Sequence, residues 1–141
     1  MSQSYTAEVS TVINAPVSKV WQALTDPELI KQYLFGTNTV TDWKVGSPIF
    51  FRGVWEGKAY EDKGTVLEFV PNRVLRYNYW SSMSGTADVA ENYANVTCAV
   101  VAEGEGTKIT ITQDHCKTAE SRDHSAGNWK MILETMKKML E

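Results

Sequence analysis

From residue 39 to residue 115 apolar side chains recur at every second position, and turn-forming residues cut the run at intervals. The cuts are Gly46-Ser47-Pro48, Gly57-Lys58, Pro71-Asn72, a polar stretch over 81–91, and Gly104-Glu105-Gly106. Between them lie strand-like segments at 49–56, 61–70, 73–80, 92–102 and 107–115, with a further short strand expected at 39–43. Tight turns can join only antiparallel neighbours, because parallel ones need a crossover of a dozen or more residues. The run therefore predicts an antiparallel meander.

The strand phases agree with one another. Leu75, Tyr77 and Tyr79 share a face, opposite Arg76 and Asn78. Ile109 and Ile111 oppose Thr110 and Thr112, and Ile49, Phe51 and Trp55 oppose Arg52 and Glu56. A sheet with one apolar face must be covered on that side. Residues 123–140 can cover it as a helix, with Trp129, Ile132, Leu133, Met136 and Leu140 on one stripe and Asp123 as its N-cap.

The chain opens with a β-branched stretch, Tyr5 to Ile13, that reads as a first strand. Asn14-Ala15-Pro16 then gives a helix start, with a capping side chain ahead of a proline. Val17, Val20, Trp21 and Leu24 make one stripe, and Thr25-Asp26-Pro27 stops that helix and caps another. Leu29, Ile30, Tyr33 and Leu34 form the second stripe, ended by Gly36. The whole reads as one α+β domain over residues 1–141.

Composition narrows the partners. Net charge is −3 with no block of Lys or Arg, so neither nucleic acid nor an anionic membrane surface is expected. No apolar run approaches the roughly 20 residues that span a bilayer. The first residues are polar and carry no signal-peptide core, so a reduced cytoplasmic setting is expected for Cys98 and Cys116.

Several strings resemble one known family. They are Ile13-Asn14-Ala15-Pro16 with Val20-Trp21-Gln22-Ala23-Leu24-Thr25-Asp26-Pro27-Glu28, then Gly64-Thr65-Val66-Leu67-Glu68-Phe69-Val70-Pro71. Gly106-Thr107-Lys108-Ile109-Thr110-Ile111-Thr112 and Gly127-Asn128-Trp129-Lys130-Met131-Ile132-Leu133 complete the set. In this order they are similar to the homologues of the activator of the heat-shock protein 90 ATPase, within the SRPBCC, START and pollen-allergen-like superfamily. Two details depart from the family pattern: Asn128 separates Gly127 from Trp129, and Gly46-Ser47-Pro48 stands where a Gly-Gly is usual. The resemblance implies the helix-grip fold, a curved antiparallel sheet of six to seven strands wrapped around a long C-terminal helix. It also implies a cavity between sheet and helix, which in relatives holds lipids, sterols or polyketides. The eukaryotic activator has a separate N-terminal domain for chaperone binding, for which this sequence has no room. Chaperone activation is therefore not carried over, and a chaperone partner stays an alternative.

On that reading the cavity is lined by Phe51, Trp55, Leu67, Phe69, Leu75, Tyr77, Tyr79, Val96, Cys98, Ile109, Ile111, Trp129, Leu133 and Met136. The plain alternative is that these residues fill a core. Gln113 and His115 continue the inward phase of Ile109 and Ile111, so they would be polar groups at one end, able to orient a ligand or exchange a proton. A solvent-facing histidine is the competing reading. Asp114, His115, Cys116 and His124 are zinc-ligand types, but neighbours on a strand point to opposite faces, so no metal is expected. Neither cysteine forms a convincing nucleophile pair, and Glu61, Asp88 and Glu91 read as solvated carboxylates. The expected function is binding of an apolar small molecule without a cofactor, by a monomer or homodimer. The alternative is a cyclase-like or hydrolase-like enzyme on the same scaffold.

Overall fold

The computed structural model describes residues 5–34, 36–81 and 87–141, and at Trp55 the backbone alone. Strand β1 (Tyr5–Ile13) leads into helices α1 (Val17–Thr25) and α2 (Pro27–Tyr33). Strands β2 (Asn38–Val40), β3 (Pro48–Trp55), β4 (Lys58–Val70), β5 (Val74–Tyr79), β6 (Ala94–Glu103) and β7 (Gly106–Cys116) follow, and α3 (Ala119–Leu140) ends the chain. Among the described residues the strands form one antiparallel sheet in the order β1-β7-β6-β5-β4-β3-β2. The meander runs from β2 to β7, and β1 joins it beside β7. The expected α+β architecture is thus present.

Local chemistry explains the helix ends, with two corrections. Asp26 caps α2 as expected, accepting the Glu28 N–H at 3.0 Å, and Gly36 follows the helix at φ 90°. Asn14, by contrast, does not cap α1. Pro16 holds the cap position without a side-chain bond, and the Asn14 N–H donates to Glu141 Oε2 at 2.9 Å, tying the two ends of the fold together. Helix α3 begins four residues before Asp123. Its cap is Thr118, whose hydroxyl accepts the Ser121 N–H at 2.9 Å. The first turns of α3 are largely exposed, so no apolar periodicity marks them; its buried residues are Ile132, Leu133, Met136 and Leu140.

Two β-bulges reset the period-two phase. On β4, Val66 pairs with Tyr77 and Glu68 with Arg76, which leaves Leu67 as the extra residue. Val66 and Phe69 consequently turn inward and Leu67 turns outward, 39% exposed. On β7, Tyr5 pairs with Cys116 but Ala7 with Gln113, so two steps of β1 oppose three of β7. His115 absorbs the excess at φ 57° and faces solvent, while Cys116 returns to the interior.

The core runs along the inner face of the sheet, from Ile13, Ile109 and Ile111 through Val96 and Leu75 to Val66 and Ile49. Val20, Trp21, Ala23 and Leu24 of α1, Ile30 and Tyr33 of α2, and the last turns of α3 cover it. Gly64 of β4 holds a close approach. A Cβ there would sit 1.7 Å from the backbone oxygen of Asn78, whose side chain accepts the Thr65 N–H at 2.6 Å. Gly64→Ala is expected to lower stability by about 3 kcal/mol, seen as a lower urea midpoint with an unchanged slope. Gly127→Ala, on α3 with nothing within 4 Å, should raise stability by about 0.5–1 kcal/mol in the same measurement.

Candidate ligand-binding site

The strand register lays inward residues in rows across the sheet. Leu75 of β5 pairs with Cys98 of β6, and Cys98 pairs with Ile111 of β7. The next row is Tyr77, Val96 and Gln113. On β2 and β3, Thr39 pairs with Phe51, which places both on the inner face. Above these rows a cavity of about 30 Å³ is bounded by Leu24, Ile30, Tyr33, Leu34, Thr39, Trp43, Ile49, Phe51, Leu75, Tyr77, Cys98, Ile111 and Trp129. That volume accommodates one or two waters or a single small group, not a whole ligand of ordinary size.

Six residues expected at the cavity do line it: Phe51, Leu75, Tyr77, Cys98, Ile111 and Trp129. Four others, Val96, Ile109, Leu133 and Met136, are at most 2% exposed and pack as core beside it. Phe69 turns away to the rings of Trp21 and Trp43, at centroid distances of 5.4 and 6.2 Å. Tyr79 lies behind Phe51, its ring centroid 5.9 Å away. Its hydroxyl donates to Asp62 Oδ2 at 2.7 Å. Gln113 accepts the Trp129 indole N–H at 2.8 Å, so it positions a wall residue. Leu67 and His115 are placed outside by the two bulges, and the Trp55 side chain lies outside the described residues. His115 bonds to Asp114 Oδ1 at 2.7 Å instead.

Sequence periodicity missed half the wall. Leu24, Ile30, Tyr33 and Leu34 come from α1 and α2, whose stripes were legible but whose position over the sheet was not. Trp43 lies in the irregular segment after β2, at φ 63°, a conformation that L-residues with bulky side chains rarely adopt. Asp62 was also missed. Glu61 is exposed, whereas Asp62 pairs with Phe51 on the inner face and is 8% exposed.

Among the described residues no charged side chain lines the cavity. Burial pushes the phenols of Tyr33 and Tyr77 well above their ordinary range and the Cys98 thiol up to about 12. All three stay neutral at ordinary pH. Tyr33 donates to the Ala23 carbonyl at 2.9 Å, which fixes the bottom of α2 to α1. A larger concavity of about 530 Å³ lies on the opposite face of the sheet, between Phe50, Asn78 and Tyr93. It is open to solvent, and its charged groups are matched, with Lys63 and Tyr93 both bonded to Asp88 at 2.5 Å. The inner cavity is the better candidate.

Comparison with known proteins fits this architecture. Residues 14–141 match the family described as Activator of Hsp90 ATPase homolog 1-like protein. The chain belongs to this family. No curated protein matches it. Among solved structures, ChR145 of Cytophaga hutchinsonii is 48% identical, with a TM-score of 0.85, over 96% of this chain and 93% of that one. The Aha1 dimer of Colwellia psychrerythraea, at 18% identity and a TM-score of 0.73, shares the fold over 97% of this chain and 96% of its own. DynU16, from the dynemicin biosynthetic locus, is 19% identical with a TM-score of 0.77, over 96% of this chain and 46% of that one. Among the described residues no helix is long and apolar enough to cross a membrane.

The buried acids give this family member a defined alkaline limit. The folded Cys98 thiol has its pKa raised from 9.0 to about 12, so the unfolded chain loses that proton first. The contribution is fully present below pH 9 and declines from there towards pH 12, reinforced by the raised phenols of Tyr33 and Tyr77. Urea midpoints measured from pH 7 to 11 should therefore fall above pH 9. Cys98→Ala should make the first part of that fall shallower. A thiol reagent at pH 8 should leave Cys98 unmodified until the protein unfolds.

Proposed function

We propose that this protein binds a small, largely apolar molecule in the cavity between the sheet and its covering helices. The observation that carries the reading is the wall itself. Five aromatic rings, from Tyr33, Trp43, Phe51, Tyr77 and Trp129, converge on one uncharged space over the row Leu75, Cys98 and Ile111. Sites for small molecules have this composition, with apolar walls and a few placed polar atoms. Membership of a family built on the helix-grip scaffold supports the same reading. So does a structural neighbour encoded in a biosynthetic locus, where small molecules are handled.

At about 30 Å³ the cavity is smaller than an ordinary ligand, so binding one requires a wall to move. Trp129 is the best-placed mover. It is only half-buried, packs at the margin of the core, and its indole N–H donates to Gln113. A neutral hydrogen bond contributes only about 0.5–1.5 kcal/mol net, so swinging the ring out costs far less than unfolding. Trp43 borders the same space from the irregular segment between β2 and β3.

The uncharged fluorescent probe N-phenyl-1-naphthylamine tests the reading. It should bind the folded protein at one site, with a blue-shifted emission. Cys98→Met, which fills the floor with a flexible apolar side chain, should weaken that binding about tenfold, the scale of 1.4 kcal/mol, while leaving the circular dichroism unchanged. Binding of equal strength in the two proteins would place the probe elsewhere and sink the proposal. Mass spectrometry of the purified protein under native conditions should show a co-purifying neutral molecule.

A further inference from the structure

Within the apolar wall, one fully buried side-chain polar atom lacks a partner among the described residues. Thr39 lines the cavity and is 5% exposed, and its Oγ1 makes no hydrogen bond among the described residues. Other buried threonines are matched. Thr37 donates to the Leu34 carbonyl at 2.7 Å and meets the Tyr60 hydroxyl, and Thr107 donates to the Ala15 carbonyl at 2.8 Å. The phenols repeat the contrast. Tyr33 and Tyr79 each have an acceptor, whereas the Tyr77 hydroxyl, in the same cavity as Thr39, has no hydrogen bond among the described residues. A buried hydroxyl without a partner destabilises the protein that carries it, and valine would fill the same volume without that cost.

Phe51 lies between the two groups. It pairs with Thr39 across β2 and β3, and its ring is 5.5 Å from that of Tyr77. The pair therefore flanks one aromatic surface, with a donor and acceptor on one side and a phenol on the other. We propose that Thr39 and Tyr77 form the polar anchor of the cavity, and that its ligand is an uncharged aromatic or polycyclic compound carrying a hydroxyl or carbonyl group. A ligand carbonyl would accept from either hydroxyl, and a ligand hydroxyl could donate to or accept from either. An ionised group is disfavoured because among the described residues no charged side chain lines the wall to balance it. The flat rings of Tyr33, Trp43, Phe51 and Trp129 favour a flat ligand. This inference rests on the cavity-binding reading and adds to it the polarity and class of the ligand.

The test uses 2-naphthol and its near-isostere 2-methylnaphthalene as competitors for N-phenyl-1-naphthylamine on the full-length protein at pH 7. The wild type should prefer 2-naphthol by about tenfold or more. Thr39→Val should bind 2-methylnaphthalene as the wild type does, lose the preference for 2-naphthol, and melt at a higher temperature. Tyr77→Phe should reduce the preference independently. Equal binding of the two compounds by the wild type, or a preference that survives in Thr39→Val, overturns the anchor and leaves the cavity reading intact. A lower melting temperature for Thr39→Val would make the hydroxyl a structural group and also overturn the anchor. Failure of both compounds to displace the probe from the wild type overturns the anchor and the cavity reading together.

Discussion

A sheet of seven strands with one apolar face has to be covered, and this chain has helices of 9, 7 and 22 residues with which to cover it. At roughly 4.8 Å per strand the sheet is about 30 Å across, while a helix with its side chains covers roughly 10 Å. Helix α3 packs on β1 and β7, α1 on β6 and β7, and α2 beside β2. Among the described residues no helix is centred on β4 or β5. There the inner face is closed by rings reaching across from elsewhere: Trp21 and Trp43 onto Phe69, and Phe51 onto Tyr77. The cavity is the part of that span that the rings leave unfilled. Its aromatic character follows from geometry, because only long, flat side chains reach over a strand that no helix covers.

The same constraint determines how much of the molecule could be read in advance. Period two places Phe51, Leu75, Tyr77, Cys98 and Ile111 on the inner face, and the register confirms it. It fails at Leu67 and at His115, the two positions where a bulge adds a residue and reverses the phase. A bulge is a property of two paired strands, so neither strand's own alternation shows it. The start of α3 was hidden for a related reason. Residues 119–128 are helical without a buried residue, and periodicity marks only the part of a helix that touches something. Thr39 illustrates the remaining limit. A threonine in a three-residue strand looks like ordinary β-propensity, and only its pairing with Phe51 shows that it faces inward.

The small cavity and the unmatched hydroxyl are linked energetically. A ligand that must open a wall sees its affinity reduced by the fraction of molecules already open. If releasing Trp129 from Gln113 and from its apolar neighbours costs about 1.4 kcal/mol, a ligand binds about tenfold more weakly than its contacts alone would give. Apolar contacts offset that loss without distinguishing one flat molecule from another. Hydrogen bonds to Thr39 and Tyr77 offset it selectively, because an unpaired hydroxyl gains a partner only when the ligand supplies one. The destabilisation that Thr39 brings to the closed protein is thus recovered in the complex, which makes discrimination between a polar-bearing ligand and its hydrocarbon analogue larger than hydrogen bonding in water would permit. Rings close the space, and two hydroxyls decide what opens it.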